Sequence, residues 1–221
     1  MAGKNPDFKR PRIVSALLGI GLVAQAALEA GLSLFLWQNG SDEATLTGAF
    51  ARLAGERGIS GSSVAEGYIT LTYAVMVLGI LTFVLLCFWL WRSVNNADEA
   101  GAHMNYEPGW AIGWWFVPFA NLWKPFDMMC ELYSASQNPR SWSVDRRPTL
   151  VIAWWLFNIT AGVIGVIIRF SSMSGNADTG WLLSLLYAAG ATRLILLLAV
   201  VLRVNSFQNR LQSRPGVEQV F

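Results

Sequence analysis

Apolar and polar positions are arranged along this chain in long blocks. Four blocks, 13–37, 67–91, 150–170 and 181–204, are apolar over 21 to 25 residues. A helix of about 20 residues crosses a hydrocarbon core of roughly 30 Å, so each block predicts a membrane span. The first block begins after a basic segment and contains Ala24-Gln25-Ala26, as a cleavable secretory signal would. Its 25 residues exceed the roughly 7 to 15 of a signal core, and it reads as a retained span. Between the first two spans, 39–66 is polar and mixed in charge, with a short helix expected over 44–53.

A fifth apolar stretch behaves differently. From Tyr106 to Tyr133 the chain reads YEPGWAIGWWFVPFANLWKPFDMMCELY. Trp110, Trp114, Trp115 and Trp123 fall within 14 uncharged residues, and Pro108, Pro118 and Pro125 interrupt the stretch. Apolar runs of about 10 to 14 are more often interfacial or re-entrant than spanning, and Pro118 removes a backbone bond from any helix there. Around Pro125, Leu122, Phe126, Met129 and Tyr133 fall on one side while Lys124, Asp127 and Glu131 occupy another, which predicts an amphipathic helix. The pattern as a whole predicts an all-α integral membrane protein. It has a basic arm at 1–12, a single membrane domain at 13–204 with a re-entrant or interfacial element at 108–133, and a polar tail at 205–221.

Charge placement supplies an orientation. If 110–133 does not cross, twelve Lys and Arg residues lie on the side of the termini, against Arg52, Arg57 and Arg169 on the other. Basic residues concentrate in cytoplasmic loops, so both termini are expected inside, in the plasma membrane. Were the stretch a fifth span, Arg140, Arg146, Arg147 and the basic tail would move outside and reverse the bias. Composition agrees with a membrane protein: 54% of residues are hydrophobic and 14% charged. A net charge of +2, without clustered basic residues, gives no reason to expect a nucleic-acid partner.

Candidate chemistry is sparse. Cys87 and Cys130 sit in or beside apolar segments and read as buried thiols, and the single histidine, His103, offers no metal-ligand spacing. No hydrolase, zinc-protease, phosphate-loop or dinucleotide motif occurs, so neither an enzyme nor a cofactor is expected. Glu29 and Arg193 are the ionisable residues deepest in the spans. Helix arithmetic puts them about 24 Å and 16 Å from the inner ends of their spans. They read as a structural pair between the first and last helices, with Arg193 reaching toward the amphipathic-helix carboxylates, or a transport path, as the alternatives. Asn121 reads as a helix cap or as a polar group on unwound backbone, and the four tryptophans as interfacial anchors or a stacking platform. If the second helix continues beyond the lipid, Arg92, Asn96 and Glu99 share one face. That stripe is expected to contact Asn121 or Glu131. Gly109 and Gly113 form a GxxxG pair in a run too short for a dimer motif.

The residues PGWAIGWWFVPFANLWKPFDMMCEL, with WLWRSVNNA upstream, resemble the bacterial membrane proteins grouped as domain of unknown function 4328. The resemblance covers roughly 89–136 and singles out Arg92, Asn96, Pro108, Gly109, Trp110, Gly113, Trp114, Trp115, Pro118, Asn121, Pro125 and Glu131. Tyr133 stands where that family often has Trp. A bacterial source is implied, common among actinobacteria, in keeping with thirteen Arg against three Lys, and no activity is implied. The functional expectation is a non-enzymatic membrane module that binds lipid or a partner through the tryptophan-rich stretch and the cytoplasmic amphipathic helix, the partner being another protein or a second copy in a homo-oligomer. The alternative is a small-solute or ion permeation protein using Glu29, Arg193 and Asn121.

Overall fold

The computed structural model describes residues 12–39, 61–143, 145–173 and 180–212. The expected helix at 44–53, most of the basic arm and the end of the tail lie outside the described residues. Six α-helices occur among those described: α1 (Arg12–Asn39), α2 (Gly61–Glu99), α3 (Pro108–Gly113), α4 (Lys124–Gln137), α5 (Thr149–Met173) and α6 (Gly180–Gln212). A 3₁₀ turn, Ala120–Leu122, precedes α4. Four of the helices are long and apolar enough to cross a membrane, over Ile13–Gln38, Tyr73–Glu99, Thr149–Ser171 and Trp181–Leu211. The protein is therefore an all-α membrane protein. Along all four helices large apolar side chains such as Leu34, Met76, Val166 and Ile195 are exposed, as a surface bounded by lipid tails requires.

Two helices outrun their apolar blocks. α2 has 39 residues and α6 has 33, or about 58 and 50 Å of helix, well beyond a hydrocarbon core. Residues 205–212, expected as tail, are the last turns of α6.

The chain divides into two compact units. The first comprises the chain up to Gly19, Val84–Trp155, and Leu196 onward. Its core is built of large apolar side chains, with Leu18, Trp89, Leu90, Val151 and Val200 buried. α4 buries nine of its 14 residues there. The polar ends of α2 and α6 are helical because their amides have partners inside this core. Asn96 Nδ2 donates to Gln208 Oε1 at 3.2 Å, while Gln208 Nε2 donates to the Ser93 carbonyl at 2.9 Å and to Ser136 Oγ at 3.0 Å. Gln208 is 3% exposed, and its amide joins α2, α4 and α6. Trp89 Nε1 adds a bond to Asn205 Oδ1 at 2.9 Å. Buried polar groups left without partners cost about 1–3 kcal/mol each. The near-isosteric Gln208→Met change is therefore expected to lower stability by about 2 kcal/mol, read as unfolding of the detergent-solubilised protein, whereas Asn209→Ala on the exposed side of α6 should leave it unchanged.

The second unit comprises Ile20–Phe83 and Leu156–Ile195. Its core relies on small residues, including Ala26, Ala161, Ala189 and Ala191, which let membrane helices approach closely. A Cβ at Gly21 would lie 2.9 Å from Thr82 Oγ1, so α1 and α2 meet there backbone to side chain. Ser33 Oγ donates to the Ser184 carbonyl at 2.9 Å, tying α1 to α6.

Candidate functional site

The tryptophan-rich stretch belongs to the first unit. Pro108 starts α3, where its missing N–H has no helical partner to lose, and the short helix ends at Gly113. A Cβ at Gly113 would come within 3.1 Å of Trp110 Cε3. The glycine thus lets the Trp110 ring lie across the helix and onto Trp114, with centroids 4.8 Å apart. The second glycine of the GxxxG pair has this local role.

Turns follow to Pro118, where the chain reverses sharply. Ala120 N–H donates to the Pro118 carbonyl at 2.7 Å and Phe119 has φ 63 and ψ −53. This is the rare positive-φ γ-turn, a strained conformation for a residue bearing a Cβ. The Phe119 side chain at its centre is 80% exposed. Phe116, Leu122 and Trp123 are exposed on the same short segment, so the chain presents an apolar tip. Behind the tip, Trp115 packs on Trp154 and Trp155 of α5, with centroids 6.3 and 6.5 Å away. Trp155 also stacks on Phe126 and donates its indole N–H to the Leu122 carbonyl at 3.2 Å.

On the other side of this segment lies a cavity of about 440 Å³. The aromatic part of its wall is Tyr106, Trp110 and Trp114, and the charged part is Glu107, Lys124, Asp127, Glu131 and Arg147. The Lys124 ammonium stands 5.6 Å from the Tyr106 ring centroid and 5.3 Å from that of Trp114, within cation–π range of both. Burial pushes the Tyr106 phenol up, and Lys124 opposes the shift. Arg147 Nη1 bonds Asp127 Oδ1 at 2.6 Å, with the guanidinium 5.3 Å from the Phe126 ring. Asp127 lies in the first turn of α4, where the helix dipole favours an anion. Beneath them the Cys130 thiol is fully buried and pushed up to about 11 by desolvation, against the pull of Arg147.

Glu131 is 3% exposed. Its carboxylate accepts the backbone N–H and the side-chain amide of Asn105, and the Tyr106 backbone N–H lies nearby. Burial raises its pKa, and these donors hold part of the rise back. Glu131 therefore anchors the loop that carries Tyr106 and Glu107 to the cavity.

The other expected site residues are placed as follows. Asn96 meets α4 through Gln208 at Ser136, rather than through Asn121 or Glu131; Arg92 is half-buried and Glu99 exposed. Asn121 is exposed, and α4 begins without a side-chain cap, so the capping role expected of it is not seen. Trp110 and Trp114 meet at the cavity, Trp115 faces α5, and Trp123 joins the exposed tip. In the second unit, Arg193 Nη2 lies 3.8 Å from Glu29 Oε1. Gln25 Nε2 donates to that same oxygen at 3.3 Å, and Arg193 Nη1 donates to Asn158 Oδ1 at 3.4 Å. The expected pairing of the first and last spans is present.

Tyr106, Glu107, Lys124, Asp127, Arg147 and Gln208 are the residues that sequence reasoning did not single out as site residues. Gln208 had a signal, because Val200, Val204 and Gln208 continue one helical face past the apolar block. Lys124 and Arg147 had none, being 23 residues apart in sequence. Among the described residues no three His, Cys, Asp or Glu side chains converge as a metal site.

Comparison with curated proteins and with solved structures gives no match. The sequence profile of the Domain of unknown function (DUF4328) matches residues 58–206, from the start of α2 through most of α6 and including the whole cavity. That match covers well over half of the 221 residues, and the chain belongs to the DUF4328 family.

Proposed function

We propose that this protein is a non-enzymatic, lipid-binding module of the bacterial plasma membrane, with both termini cytoplasmic and the tryptophan-rich segment seated in the cytoplasmic interface. The observation that carries this reading is the pairing of an exposed apolar tip, Phe116, Phe119, Leu122 and Trp123, with a charged and aromatic cavity on the same short segment. Depth supports it. Trp154 and Trp155, on which the segment rests, stand about 7 to 9 Å along α5 from its first residue, the zone where aromatic side chains anchor membrane proteins. A tip at that depth meets acyl chains while the cavity meets headgroups.

The test is phospholipid retention. Full-length protein purified in a mild detergent should retain phospholipid detectable by phosphate assay and native mass spectrometry. The Tyr106→Ala, Trp114→Ala double variant should lose about tenfold in retention, since these two rings hold the Lys124 ammonium in the cavity and each cation–π contact at such a site contributes roughly 0.5–1 kcal/mol. Equal retention by both proteins would refute the reading. A permeation role through Glu29, Arg193 and Asn121 is the second reading, motivated by the ion pair within the spans. Ion or solute flux in liposomes, lost on Arg193→Ala, would favour it over lipid binding.

A further inference from the structure

We infer that the cavity is a subsite for a phosphate ester carrying a primary ammonium, the phosphoethanolamine type of headgroup, with the phosphate at Lys124 and the ammonium between Glu107 and the Trp110 face. This headgroup choice rests on the lipid-binding role above. It follows from an inventory of the charges in the wall. Asp127 and Arg147 neutralise one another at 2.6 Å. Glu131 is committed to the backbone N–H and the side-chain amide of Asn105. Two opposite charges remain. Lys124 forms no ion pair among the described residues, its ammonium being held over two aromatic faces. Glu107 is exposed at the cavity and forms no ion pair there either.

A cavity with one unpaired cation and one unpaired anion complements a zwitterion. A purely anionic headgroup would satisfy Lys124 and leave Glu107 facing a phosphate, and like charges at close range are repulsive. A quaternary ammonium has no N–H to give a carboxylate and is recognised by a cage of ring faces. Here Lys124 already occupies the faces of Tyr106 and Trp114, which leaves Trp110 at the mouth. A primary ammonium suits that remainder, because it donates to Glu107 in charge-assisted bonds while resting on one ring. The volume, about 440 Å³, is in the range of small-ligand sites.

The experiment titrates full-length protein in detergent with micelles doped in turn with phosphatidylethanolamine, phosphatidylcholine and phosphatidylglycerol, and separately with soluble glycerophosphoethanolamine, following tryptophan fluorescence. Phosphatidylethanolamine should bind about tenfold more tightly than the other two lipids, the effect of one charge-assisted hydrogen bond. Glu107→Gln, on an exposed side chain, should bring it to the level of phosphatidylcholine, and Lys124→Gln should weaken all three lipids. Binding of the soluble ester as tightly as the lipid assigns the site to a free metabolite of the same chemistry; binding of the lipid alone assigns it to the membrane. Equal affinity for the three lipids, or preference for phosphatidylglycerol, overturns the headgroup choice and leaves lipid binding standing. Binding of none of them overturns both.

Discussion

Replacing Gly190 by alanine is expected to unseat the Glu29 carboxylate and to cost about 1–2 kcal/mol, less than the loss of one partner of a fully buried ion pair because both partners remain. Gly190 is buried on α6, and a methyl group built on it overlaps Glu29 Oε2. The side chain can swing away, so backbone overlap is not the main cost. Swinging away separates the carboxylate from Arg193 and Gln25 in a region where charge is costly to leave unpaired. Reversible unfolding in bicelles measures the effect, and a double-mutant cycle identifies its origin. In a Glu29→Ala background the same change should cost under about 0.5 kcal/mol, because the two residues act through one contact. An undiminished cost there would mean that Gly190 serves helix packing alone.

The second large effect is expected at Glu131. Glu131→Ala removes the acceptor for the backbone N–H and the side-chain amide of Asn105 and opens a void under the loop, for a loss of about 2–4 kcal/mol. Glu131→Gln keeps the shape but turns an N–H toward those donors, and should cost about half as much. The sign of the pH dependence follows from burial. Glu131 holds its proton more tightly when folded than at the ordinary 4.5 of the unfolded chain. Its contribution to stability is therefore complete below 4.5 and declines as pH rises through the elevated folded value. Melting temperature against pH should show that decline in the parent protein and a flatter profile in Glu131→Gln. A parent profile that rises over the same window would show that the amide donors outweigh desolvation.

The four long helices were legible in the sequence because length and hydropathy act locally. Their ends were not, since Asn96 and Gln208 are polar by type and buried only through one another. Depth arithmetic along two helices was enough to suggest that Glu29 and Arg193 could meet. The notch at Gly190 depends on the rotation of α6 about its axis, which no count of residues supplies. The prolines of the tryptophan-rich segment announced an interrupted chain, but the γ-turn at Phe119 is a conformation that sequence propensity argues against. The cavity was hidden for a different reason. Its aromatic wall is one local segment, whereas its charges come from the loop before α3, from α4 and from the loop before α5, and only folding sets Lys124 against Trp114 and Arg147 against Asp127.

The arrangement of indole rings has an optical consequence. Trp110 and Trp114 form one close pair at the cavity, and Trp115, Trp154 and Trp155 form a separate trio against α5. Indoles this close couple their electronic transitions, so each group gives a circular dichroism signal that isolated tryptophans lack. The trio reports whether the segment is seated on its helix, and the pair reports the arrangement of the cavity wall. The packing of the segment and the state of that wall can thus be followed without an added label.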